Sequence, residues 1–236
     1  MDTQRFRDRT EAGQLLACSL DAYAGRPDAV VLALPRGGVP VGFAVAEALH
    51  LALDIILVRK LGAPGHEELA MGAIASGGQR VVRPDVMQML GVDDRALEDV
   101  ARREMTEMQR RETLYRAGRP ARPLDGAVAI LIDDGLATGA TMMAAVRAVR
   151  TQHPARVVVA VPVGASETCR LLEDEADQVV CLRTPASFRA VSLWYQAFPQ
   201  TSDDEVIDLL ERARGFGPPA GSAPARPHGQ PGASGA

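Results

Sequence analysis

Five short runs rich in Val, Ile and Leu recur along the chain, and helical patterns separate them. This alternation constrains the fold more than any other feature. The runs are Ala29–Leu34, Asp54–Val58, Ala127–Ile132, Arg156–Val161 and Gln178–Leu182. Continuous apolar runs of this length are what strands buried on both faces require. Between them, Val41–His50, Thr141–Thr151 and Ser166–Glu175 place apolar residues at helical spacing. Strand and helix in alternation predict a three-layer α/β fold built on a parallel sheet. The 236 residues suffice for one such domain with extensions.

Two segments break the alternation. Leu61–Arg83 is rich in Gly with short apolar pieces and predicts a flexible hairpin standing off the sheet. Asp85–Ala117 predicts a short helix followed by a long one, on which Leu97, Ala101, Met105 and Met108 share a face. Seven acids and six bases between Asp93 and Arg116 make the remainder of that helix a solvated surface or a partner surface. From Gly215 onward, 18 of 22 residues are Gly, Pro, Ala or Ser, a composition expected of a disordered tail.

No run approaches the length of a membrane-spanning helix, and the N-terminal residues lack the apolar core of a secretory signal. The three cysteines, Cys18, Cys169 and Cys181, form no CxxC, so a reducing cytoplasm is the expected compartment. The formal net charge of −4 provides no general attraction for polyanions, and phosphate binding must come from a local site.

The local site with the strongest chemistry is Ala129–Thr141, AILIDDGLATGAT. A buried strand ends in Asp133 and Asp134, a loop of small residues and threonines follows, and a helix begins. Gly135 and Gly139 permit close backbone approach. The amides at the helix start, with the Thr138 and Thr141 hydroxyls, suit a phosphate. Two carboxylates beside such a cradle fit sugar hydroxyls or Mg²⁺, held directly or through water. The same residues read as a helix cap at a strand–helix turn. A Walker-type nucleotide site would need a Gly-Lys pair, and the chain has none.

ILIDDGLATGAT resembles the phosphoribosyl-pyrophosphate (PRPP) motif of type I phosphoribosyltransferases. The resemblance covers roughly residues 29–182, with looser similarity in the later LRTPASFRAVSLWYQAFPQTSDDEV to bacterial phosphoribosyltransferase-like proteins without an assigned substrate. It implies a domain over residues 1–214, with a hairpin at 61–83, a helical insertion at 85–117 and a hood at 183–200. It further implies that Asp133 and Asp134 bind the ribose hydroxyls and Mg²⁺, and that Gly135, Leu136, Ala137, Thr138, Gly139, Ala140 and Thr141 bind the 5-phosphate.

In the loop after the first strand, LPRGG, Arg36, Gly37 and Gly38 would contact pyrophosphate; read alone, PRGG is a plain turn. Arg59 and Lys60 after the second strand would do the same, or form a solvated strand end. Arg36 and Lys60 are thereby the candidate catalytic cations, and His66 in the following loop a weaker contact. Phe188, Trp194 and Tyr195, with Phe198 nearby, could stack an acceptor base or form a core cluster; Arg183 and Arg189 flank them.

One departure bears on the acceptor. Enzymes of the family acting on 6-oxopurines carry a further acid that falls on Ala137, so a standard 6-oxopurine is not the expected acceptor. The resemblance thus implies a Mg²⁺-dependent transferase using PRPP with an unidentified nitrogenous acceptor, and it is compatible with a homodimer; the charge and the short apolar runs point to neither nucleic acid nor membrane as a partner. The alternatives are a PRPP- or nucleotide-binding regulator without turnover, and a metal-dependent phosphoester hydrolase.

Overall fold

The computed structural model describes residues 5–76 and 78–217. Five strands, β1 (Ala29–Ala33), β2 (Ala52–Ile55), β6 (Val128–Ile132), β7 (Arg156–Val163) and β8 (Gln178–Arg183), form one parallel sheet in the order β2-β1-β6-β7-β8. Helices α1 (Arg9–Cys18), α2 (Gly38–Leu49), α3 (Pro84–Leu90), α4 (Asp94–Arg116), α5 (Ala140–Arg150), α6 (Ser166–Glu173) and α7 (Asp203–Arg212) surround it. Three further strands, β3 (Val58–Ala63), β4 (His66–Ala75) and β5 (Gln79–Val82), make a separate antiparallel sheet. Among the described residues no helix is long and apolar enough to cross a membrane.

The three layers follow from the period of two along each strand. Val31, Ala33, Ile130, Ile132, Val158 and Ala160 point into one core, which α1, α2, α4 and α7 close. Val30, Leu32, Ala129, Leu131, Val157 and Val159 point into the other, which α5 and α6 close. Every residue of β1 and β6 is buried, as a sheet covered on both faces demands.

The sheet forks between β1 and β6: the chain leaves β1 toward β2 on one side and leaves β6 toward β7 on the other. A crevice opens at the carboxyl ends of two strands whose connections diverge, and ligands of open α/β sheets bind there. The LPRGG loop and the Asp133–Asp134 loop both emerge at this fork.

The second strand starts two residues and ends three residues earlier than its apolar run suggests. Ile56 still donates its N–H to the Ala33 carbonyl at 3.1 Å, but Leu57 exchanges partners with Ser76, donating to its Oγ at 2.9 Å and accepting from its N–H at 2.9 Å. At that point the chain passes from the main sheet to the hairpin sheet, so one apolar run serves both. The hairpin sheet packs on α4 and α5. Gly215–Gly217 close the described chain, with the Phe216 ring 5.3 Å from that of Phe43 on α2. The tail was expected from Gly215; these first three residues are ordered against the domain, and residues 218–236 lie outside the described residues.

Two helices had no clear pattern in the sequence. In α1, Asp8 caps the helix by accepting from the Glu11 N–H at 2.9 Å. Gly13 lets α1 cross α2 closely: a Cβ there would lie 2.5 Å from the Val41 carbonyl oxygen and 2.7 Å from the Ala44 Cβ. In α7, Ser202 caps the Glu205 N–H at 3.1 Å, and three acids occupy the first turn.

Candidate functional site

Asp133 and Asp134 sit at the end of β6, half-buried and beneath the LPRGG loop. That loop can lie so low only because it has glycines. A Cβ on Gly37 would meet the Asp134 Oδ2 at 2.1 Å, and one on Gly38 would meet the Ile132 carbonyl oxygen at 2.6 Å and the Asp133 Cα at 2.9 Å. The Gly38 N–H is donated to the Leu34 carbonyl at 3.0 Å, whereas that of Gly37 has no acceptor among the described residues. The Arg36 side chain leans toward α7, its Nη1 3.6 Å from Asp203. Asp203 also accepts from the Tyr115 hydroxyl at 2.5 Å, and its carboxyl is held below the usual range first by that hydrogen bond.

The two acids differ in their surroundings. Asp134 Oδ2 accepts from Arg9 Nε at 2.9 Å and from Arg9 Nη2 at 2.7 Å, and the Asp134 carbonyl accepts from the Tyr195 hydroxyl at 2.7 Å. Asp133 Oδ1 accepts from the Asp134 N–H at 2.8 Å, and Oδ2 has no partner among the described residues. Burial, and then the neighbouring Asp134, push the Asp133 carboxyl well above the ordinary carboxylate range. Burial also raises Asp134, with the Arg9 guanidinium opposing it.

The loop that follows is pinned at one residue and open at the next five. Leu136 is buried and its N–H is donated to the Val163 carbonyl at 2.9 Å, so it anchors the loop instead of offering a donor. The N–H groups of Ala137, Thr138, Gly139, Ala140 and Thr141 find no acceptor among the described residues and open onto the crevice at the start of α5. Gly139 holds φ +70°, and Thr168 lies against it, the Thr168 Cγ2 2.4 Å from where a Cβ would be. Thr168 also donates to the Ala137 carbonyl at 2.7 Å. Ala137 itself is exposed and brings no titratable group.

The basic candidates of the hairpin sheet part company. Arg59 is ion-paired with Glu104 of α4 at 2.6 Å. Lys60 is exposed, has no ion-pair partner among the described residues, and is the only lysine in the chain. It lines a cavity of about 410 Å³ between the hairpin sheet and α5, which reaches Ala140 at the helix start. His66 lies at the exposed turn of the hairpin, at the first position of β4.

The aromatic group forms a small core of its own. Tyr195 is buried between Phe6 at 5.4 Å and Phe198 at 5.0 Å, with Phe188 and Trp194 packed at its edge. Arg183 lies over the Phe6 ring at 3.8 Å. Backbone hydrogen bonds join this hood to the N-terminal segment: Phe6 donates to the Trp194 carbonyl and Gln196 donates to that of Phe6. The hood's Val191 sits on Gly135, its Cγ1 2.6 Å from where a Cβ would be. No motif in the sequence points to Arg9. It is 125 residues from its partner Asp134, and no spacing connects the two.

Comparisons with known proteins identify the family. The family described as the phosphoribosyl transferase domain matches residues 10–195. Two proteins of Mycobacterium tuberculosis, from strains H37Rv and CDC 1551, are each 48% identical over 208 residues. They are named "Putative phosphoribosyl transferase Rv0571c" and "Putative phosphoribosyl transferase MT0597". The match covers 88% of this chain and 47% of each relative, so the chain spans about half their length. The crystal structure of TT1426 from Thermus thermophilus is 42% identical, with a TM-score of 0.79 over 89% of this chain and 99% of that one.

Proposed function

The chain belongs to the phosphoribosyl transferase domain family, and on that premise we propose that it is a Mg²⁺-dependent phosphoribosyltransferase that takes PRPP and releases pyrophosphate. The observation that carries this reading is convergence at the sheet's fork. An acid pair, a glycine loop pressed onto it and five open amides at a helix start lie within one crevice. Each suits one part of PRPP: carboxylates for the ribose diol, amides for the 5-phosphate, and the Gly37 N–H with Arg36 and Lys60 for the diphosphate.

In this reading a nitrogen of the acceptor attacks the anomeric carbon while the bond to the diphosphate breaks. Positive charge grows on the ribose ring and negative charge on the leaving group. In this reading Arg36 and Lys60 stabilise that negative charge as it develops. The Gly135–Thr141 loop fixes the sugar through its phosphate and so orients the anomeric carbon. The hairpin sheet excludes water as a competing nucleophile. The open Asp133 oxygen and its neighbour Asp134 are hard oxygen donors of the kind Mg²⁺ takes, and the ion when bound would neutralise diphosphate charge. The acceptor is a nitrogenous compound other than a standard 6-oxopurine, because Ala137 can neither give nor take a proton.

That same alanine favours a second reading, a PRPP-binding regulator without turnover. The hydrolase alternative gains no support: among the described residues no three His, Cys, Asp or Glu side chains gather to hold a metal. Following pyrophosphate release from PRPP and Mg²⁺ across a panel of nitrogenous bases separates the readings. Release that depends on one base, and falls with Lys60→Ala, is the expected result. PRPP binding without release from any base would favour the regulator.

A further inference from the structure

We propose that Arg9 is a positioning residue of the PRPP site: it fixes Asp134 as an anionic anchor under the LPRGG loop and leaves Asp133 as the acid whose free oxygen meets the ligand. The inference rests on the PRPP reading given above. Arg9 precedes the family match, which begins at residue 10, so the family description assigns it no role.

All three guanidinium nitrogens of Arg9 are engaged. Nε and Nη2 both reach the same oxygen of Asp134, Nη1 donates to the Pro199 carbonyl at 2.7 Å, and the guanidinium plane lies 3.7 Å from the Phe198 ring centroid. The Arg9 side chain is 9% exposed and that of Asp134 15%. A buried pair of this kind is a poor device for stability, because two charges leave water and an apolar pair of the same shape often does as well. Its position is better explained by what it holds. The Asp134 oxygen that Arg9 grips is the one nearest Gly37, within the space a single methyl group would fill.

A shift of Arg9 is therefore passed to Asp134 and from there to the backbone of the diphosphate loop. The Tyr195 hydroxyl fixes the same residue through its carbonyl. Asp133 is left with one oxygen on its neighbour's amide and one open. The open oxygen matches a vicinal diol or a metal-bound water. The chain reaches this point because Gly13 lets α1 lie against α2, which brings Arg9 over the end of β6.

The test is calorimetric titration of PRPP, with saturating Mg²⁺, into the full chain and its Arg9→Lys, Arg9→Met, Asp134→Asn and Arg9→Met/Asp134→Asn variants, with melting temperatures alongside. Arg9→Met is expected to weaken binding at least tenfold. Arg9→Lys, which keeps the charge but not the paired geometry, is expected to recover most of it, remaining about threefold weaker than wild type. In the Asp134→Asn background, Arg9→Met is expected to change affinity less than twofold, since its partner is already neutral. Should Arg9→Met not fold, Arg9→Lys decides, and binding equal to wild type overturns the proposal. Wild-type affinity in Arg9→Met, or an undiminished loss in the Asp134→Asn background, also overturns it and leaves PRPP binding intact. Absence of PRPP binding by the wild type overturns the PRPP reading itself, and the role of Arg9 with it.

Discussion

Burial beside Asp134 makes an ionised Asp133 unfavourable to the fold that carries it. Its carboxyl holds a proton more tightly when folded than when unfolded, because burial and Asp134 both disfavour its charge. The favourable contribution is therefore present below the unfolded value of about 3.9 and is lost as pH rises through the higher folded value. At neutral pH the ionised group is a burden. Asp133→Asn keeps an oxygen for the Asp134 N–H and removes the charge. It should raise the melting temperature at pH 7 in Mg²⁺-free buffer by a few degrees, each kcal/mol being worth about 2–4 °C in a chain of this size. The gain should vanish toward pH 4. A lower melting temperature at pH 7 would mean that the charge is stabilised by its surroundings. At this scale the sequence was informative where chemistry is local: the acid pair and the two glycines pressed onto it stand in the motifs that single them out. Arg9 was not legible as part of the site, and Tyr195 read only as a stacking or core aromatic, because their contacts to Asp134 span 125 and 61 residues and exist only once the hood and α1 have folded onto β6.

At the scale of elements, the loop from Asp134 to α5 is shaped by one residue of positive φ. Gly139 turns the chain so that the amides at the helix start face the crevice, and Thr168 of α6 closes the space behind it. Gly139→Ala meets both constraints: a left-handed backbone costs about 1 kcal/mol without glycine, and the new methyl group displaces Thr168. PRPP affinity should fall at least tenfold by calorimetry. Gly25→Ala supplies the control, since Gly25 has φ +64° with nothing within 4 Å and lies far from the site in sequence. It should show the backbone cost in its melting temperature with unchanged affinity. Equal affinity in both variants would remove the phosphate role from this loop. The strands and the helices following them were legible because their apolar periods are unbroken. The edges of β2 were not, since one apolar run feeds two sheets. Nor were α1, which carries Gly13 in its interior, and α7, whose buried Val206 and Leu210 are too few to make a pattern.

At the scale of the whole molecule, α4 ties the hairpin sheet and the C-terminal helix to the main sheet. Its last residue, Arg116, is buried and donates to Asp54 Oδ1 at 3.0 Å, to the Ile55 carbonyl at 2.8 Å and to Glu112 at 3.0 Å. The other Asp54 oxygen accepts the Arg122 N–H at 2.9 Å. Arg116→Met leaves a buried carboxylate without its countercharge and should cost about 3 kcal/mol in urea unfolding. Arg59→Ala, which breaks the half-exposed pair with Glu104, should cost less than about 1 kcal/mol. Similar losses for both would mean that the Arg116 network is not a structural tie. The long charged helix was legible as a helix, but Arg116 read only as one base among many on a solvated face. Its burial depends on β2, 61 residues earlier.

The central claim is that PRPP binds with Mg²⁺ at the fork between β1 and β6, against Asp133. Titrating PRPP into the wild type and into Asp133→Asn, each with and without Mg²⁺ and with melting temperatures alongside, tests it most directly, because the melting temperatures separate lost binding from unfolding. The account predicts saturable, Mg²⁺-dependent binding by the wild type and at least a tenfold weaker affinity in the variant. Absence of binding by the wild type, or equal affinity in a folded Asp133→Asn variant, would contradict it.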